Sequence, residues 1–144
     1  GQAAFGAISE VVQILKADPS TDWTKVNIEA LRQHLIDMDA VVMDAAVTQK
    51  HVPGGFEADV TGSGTTVASI QRLAMNHASM LNAASDVQAT VVPLPTGVRF
   101  SITVRGATDV VRIRALGFAG MLTEGSHHQP HHLMIARGGA VHKH

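Results

Sequence analysis

The stretch Val91-Val92-Pro93-Leu94-Pro95-Thr96-Gly97-Val98-Arg99-Phe100-Ser101-Ile102-Thr103-Val104 decides the fold. From Val98 to Val104 apolar and polar residues alternate, so one face of an extended strand is apolar and the other polar. Pro95-Thr96-Gly97 supplies a turn, and Val91-Val92 belongs to the strand on its other side. A strand that is apolar at every second residue needs a cover on that face. Helices are the elements available to provide it.

The pattern occurs once before. Phe56, Ala58 and Val60 alternate with Glu57, Asp59 and Thr61, after a turn at Pro53-Gly54-Gly55. A helical stretch precedes each hairpin: IEALRQHLIDMDAVVMDA before the first and SIQRLAMNHASMLNAAS before the second. The two units run from about 25 to 62 and from about 68 to 106. His34 and His77 are 43 residues apart, as are Gly54 and Gly97; Phe56 and Phe100 are 44 apart, as are Gly62 and Gly106. A third helical stretch, about 108 to 123, begins like the second. Pro19 closes a short first helix over 8–16. Asp22 marks the start of the next helix, and Thr65 or Thr66 that of the one after. The expected fold is α+β, a single domain over 1–144 with an internal duplication. Two helix–β-hairpin repeats form a four-stranded antiparallel sheet with helices on one face, followed by a third C-terminal helix and a His-rich tail.

Composition narrows the function. Eleven basic and twelve acidic residues leave a formal charge of −1, so no basic field points to nucleic acid. Four Phe, one Trp and no Tyr make a poor base-stacking surface. Without Cys there is no disulfide, thiolate ligand or cysteine nucleophile. No apolar run approaches the ~20 residues that span a bilayer. The chain starts at Gly1-Gln2-Ala3-Ala4 rather than at Met, which reads as a processed start and suggests an exported, periplasmic protein. An open sheet edge would suit a homodimer.

Histidine carries the chemical signal. Of nine histidines, six lie in the last 18 residues, and four of these form Ser126-His127-His128-Gln129-Pro130-His131-His132. Imidazole is the commonest protein metal ligand, and four in six residues have no packing rationale. Pro130 disfavours a helix through Gln129, so a short helix is expected from Pro130 to Arg137, with His127 and His128 on the turn before it. On the earlier helices His34 stands four before Met38, and His77 three before Met80, spacings that bring an imidazole and a thioether together. The third helix has Gly120 and Met121 at the corresponding place, with His127 and His128 following. The candidate metal ligands are therefore His34, His77, His127, His128, His131, His132, Met38, Met80 and Met121. Against this stands the ordinary fate of a histidine on an apolar helix face, which is a hydrogen bond within the core.

Imidazole with thioether suits copper. Zinc on three or four histidines is the alternative ion. A non-covalent haem, held axially by His34, Met38, His77 or Met80, is the alternative cofactor. The expected function is transport, scavenging or storage of the metal, with the ion itself as partner. Enzymatic signals are few. A zinc hydrolase would have Glu124 as general base. Thr61-Gly62-Ser63-Gly64-Thr65-Thr66 lacks the Lys of a phosphate-binding loop and reads as a plain strand-to-helix turn. A structural or interaction domain with incidental histidines completes the set.

Overall fold

Four seven-residue strands carry the alternation. Strand β1 (Ala46–Val52) turns through Pro53-Gly54 into β2 (Gly55–Thr61), and β3 (Gln88–Leu94) turns through Pro95-Thr96 into β4 (Gly97–Thr103). Gly54 has φ +81°, a left-handed conformation that favours glycine. The strands form one antiparallel sheet in the order β1-β2-β4-β3. The computed structural model describes residues 2–84, 86–124 and 128–138. Among them are five helices: α1 (Gln2–Ala17), α2 (Ile28–Asp44), α3 (Thr66–Ala84), α4 (Ala107–Met121) and α5 (His128–Ala136). The α+β class and the helix-covered antiparallel sheet agree with the pattern of the sequence. Two compact units make up the chain: a sheet unit, Asp37–Ser126, and a helical unit, Gly1–Ile36 with His127–His144.

In the sheet unit, Phe56, Ala58 and Val60 of β2 and Val98, Phe100 and Ile102 of β4 are fully buried. Helix α3 covers β3 and β4, while α4 covers β2 and β1. Ile70, Ala74, Leu81, Ile113 and Phe118 fill the layer between, and Phe118 meets Phe100 edge to face with centroids 5.1 Å apart. The other face of the sheet is polar. There Arg99 pairs with Asp59 at 2.8 Å and Lys50 with Glu57 at 3.3 Å.

The register reveals a pseudo-twofold axis. Gly55 pairs with Thr103, Thr61 with Gly97, and Ala58 with Phe100 at the centre. The strands thus repeat at 42 residues, and the mate of Gly97 is Gly55. The sequence match of Gly54 with Gly97 is one residue out, because Thr96 takes the turn position of Gly54. A Cβ on Gly55 would lie 1.8 Å from the Ile102 carbonyl oxygen, and one on Gly97 would lie 1.8 Å from that of Val60. Each hairpin turn is also held by a helix. Arg114 of α4 donates to the carbonyls of Gly55 and Val52, each at 2.8 Å. Gln71 of α3 donates to those of Gly97 and Leu94, each at 3.2 Å. In space, the repeating element is a hairpin followed by a helix.

Helix α4 is kinked at Gly117, whose φ of 64° and ψ of −170° break the ladder. Gln49 of β1 donates to the Arg114 carbonyl at 3.1 Å. Asp37 is buried; Ser69 donates to it at 2.8 Å and Arg72 binds it through two nitrogens. Burial makes this carboxylate dependent on its donors.

The helical unit packs α1, the first residues of α2 and α5. Its buried apolar residues are Val11, Leu15, Leu31, Leu35, Ile135 and Ala136. Helix α2 begins at Ile28 rather than near Asp22. The Asp22 carboxylate accepts from Thr24 in a turn of its own, and the Asn27 side chain caps α2 by accepting from the Ala30 N–H at 2.9 Å. Helix α5 begins at His128, earlier than Pro130. A proline in the first turn costs nothing there, since those N–H groups have no partner within the helix.

Candidate metal centre

His34 and His132 meet within the helical unit. Leu31 and Leu35, both buried, hold the stretch of α2 that carries His34. Ile135 and Ala136, also buried, seat the end of α5 that follows His132. The His132 ring is 7% exposed and that of His34 is half-buried. Their centroids are 5.6 Å apart, with the planes inclined at 67°. An ion about 2 Å from one nitrogen of each ring would hold the centroids roughly 5–6 Å apart at trigonal or tetrahedral angles. The centroid separation of the pair is within that range, which is equally that of an edge-to-face ring contact.

Beyond the pair, α5 places His128 one turn before His132. The side chains of His128 and His131, and the whole of His127, lie outside the described residues. Among the described residues, no three His, Asp or Glu side chains form a group able to hold an ion.

His77 has different surroundings. It lies on α3 in the sheet unit, 6% exposed, and its Nε2 donates to the Met121 carbonyl oxygen at 2.7 Å. That carbonyl ends α4, where it also accepts from the Glu124 N–H at 3.2 Å, and the imidazole adds a second donor. Met121 itself is 1% exposed within the apolar core, and Met38 packs against that core. Thioethers fill such gaps well. Met80, on α3, is half-buried. His34 belongs to the helical unit and His77 to the sheet unit.

The other sequence features have structural roles. Glu124 accepts from Arg112 at 2.7 Å, so the acid nearest the His-rich segment is engaged in an ion pair. In the Gly-rich turn, Gly64 has φ +58°, and a Cβ on Gly62 would come within 2.7 Å of Thr66. These glycines permit a tight strand-to-helix connection. A cavity of about 990 Å3 in the sheet unit is lined by Asn82, Asp86, Gln88, Arg105, Asp109 and Arg112, a mixture of both charges without histidine. No described helix is long and apolar enough to cross a membrane.

The buried Asp37–Arg72 pair was not legible in the sequence, because its partners come from two helices 35 residues apart. The approach of His34 to His132 spans 98 residues and had no local signal either. Comparison with family models, curated proteins and solved structures finds no match for this chain.

Proposed function

We propose that the protein binds a transition-metal ion, copper first, at an imidazole centre built on His34 and His132, and that it serves as a carrier or scavenger. The observation that carries this reading is the 5.6 Å approach of the two rings from helices far apart in sequence. His132 supplies a withdrawn, pre-positioned donor, and half-buried His34 leaves a route from solvent. The remaining donors fall to His127, His128 and His131 on the segment that leads into His132. A wholly imidazole site accepts Cu(II) readily and also zinc, and copper stands higher in the affinity order. The methionines are not required as ligands.

Calorimetric titration with Cu(II) and Zn(II) tests the proposal. The intact chain is expected to bind about one ion, with copper tighter than zinc. His34→Ala should weaken binding at least tenfold. His132→Gln, which keeps a polar side chain in the buried position, should do the same, with circular dichroism confirming its fold. Unchanged affinity in both variants would overturn the proposal.

A further inference from the structure

We infer that metal occupancy controls the docking of α5 onto the rest of the helical unit; this rests on the metal centre proposed above. Helix α5 has nine residues, too few to be stable on its own in water. Its described anchors are concentrated at one end. Ile135 and Ala136 are buried, and the Asn27 N–H donates to the Ala136 carbonyl at 2.7 Å. Arg137 pairs with Asp18 at 3.1 Å. Gly138, at φ +83°, sits so close to the Lys25 carbonyl that a Cβ there would fall 2.8 Å from it.

Toward the N-terminal half of α5, the described side chain that is buried is His132, and the ring it meets is His34. An ion shared by these two rings would therefore add a fastening at the middle of α5, ahead of the described anchors at Ile135, Ala136 and Arg137. It joins positions 98 residues apart, so it loses His34 as a ligand when α5 leaves and is held more weakly by the histidines that remain. A ligand that prefers the docked form shifts the docking equilibrium by up to the ratio of its affinities for the docked and released forms. Losing His34 weakens binding about tenfold or more, so with the metal in excess release of α5 becomes about tenfold rarer or more. The metal-free chain, by the same linkage, opens more often and uncovers apolar surface on α1. The loaded and empty forms thus differ in a surface that a partner can read.

Hydrogen–deuterium exchange on the full chain, with and without Cu(II), tests this at peptides covering 128–138. Peptides from β4 in the sheet unit serve as the reference. Protection of α5 should rise about tenfold or more at a hundredfold excess over Kd while β4 changes little. In His34→Ala the rise should disappear. His34→Gln is the second variant if the alanine form folds poorly. If calorimetry reports binding through His34 and His132 but α5 protection stays constant, the docking inference falls and the metal centre stands. If neither substitution weakens binding, the metal centre fails and the inference with it.

Discussion

The Nε2 of His77 donates to the carbonyl oxygen of Met121, 2.7 Å away, where α4 ends. This bond ties α3 to α4 across the top of the core, and it gives a buried polar ring a defined partner. It also means that the histidine on the apolar face of α3 contributes to stability through its proton on Nε2.

His77→Ala should therefore destabilise the protein by roughly 1–3 kcal/mol, combining the loss of this hydrogen bond with a cavity, while the Met121 carbonyl keeps its bond from the Glu124 N–H. His77→Gln, which retains a donor, should recover part of the loss. Copper affinity should be unchanged in both. Urea denaturation and calorimetry on the same samples separate the two effects, and a tenfold loss of copper affinity would contradict this structural assignment.

Gly55 and Gly97 are twofold mates, so they should respond alike to substitution. A methyl group at either position would lie 1.8 Å from a backbone oxygen of the adjoining central strand, which has no flexible side chain to move aside. Gly55→Ala and Gly97→Ala should each cost at least about 4 kcal/mol, in the range reserved for severe steric conflict. Gly64→Ala has open space around its Cβ and only the positive φ to overcome, so it should cost about 1–2 kcal/mol. Thermal melts of the three variants would establish the order.

Arg114 and Gln71 brace the two hairpin turns, but with different chemistry. The guanidinium forms two charge-assisted bonds at 2.8 Å, whereas the amide forms two neutral ones at 3.2 Å. Arg114→Ala should thus be the costlier loss, about 2–3 kcal/mol against about 1 kcal/mol for Gln71→Ala. Arg114→Lys should behave more like the alanine variant, because an ammonium cannot reproduce the planar fork. Hydrogen exchange at residues 52–55 and 94–97 would localise each effect to its own turn.

The Asp18 carboxyl titrates below the ordinary aspartate value of 3.8, chiefly because the Ser20 side chain and backbone donate to it, with Arg137 adding its charge. Asp59 is likewise lowered, by its hydrogen bonds from Arg99. A depressed folded pKa means that the contribution is present in full above the unfolded value and is lost as pH falls through the folded one. Stability should then decline on acidification below about pH 4, and Asp18→Asn should flatten part of that slope. Both groups are partly exposed, so the change should be small and weaker in high salt. Denaturation midpoints between pH 5 and pH 2, with and without salt, would check the sign.

Much of the sheet unit was legible because its signals are local. The alternation in Val98–Val104 and Phe56–Thr61, the proline turns and the apolar stripe of α3 each lie within a few residues, and they specify strands, hairpins and a covered face. The exact repeat was not legible. Pro53 and Pro95 support an offset of 42, but Gly54 resembles Gly97 in sequence, and the register of β2 on β4 resolves the choice in favour of Gly55. The start of α2 is ambiguous in the sequence, because Asp22 and Asn27 are both good capping types. The structure uses Asp22 for a turn and Asn27 for the cap. Pro130 suggests a start of α5 at itself, but a helix tolerates proline throughout its first turn, and α5 begins at His128.

The sequence by itself determined the α+β class, the antiparallel hairpins, the lack of thiol chemistry and the concentration of imidazoles near the end of the chain. Periodicity and composition are properties of neighbouring residues, and they survive without the fold. Tertiary structure decided which imidazole met what. It gave His77 a carbonyl 44 residues away and brought His34 beside a ring 98 residues away. Such pairings follow from how whole helices pack on their neighbours, and no spacing along the chain encodes them.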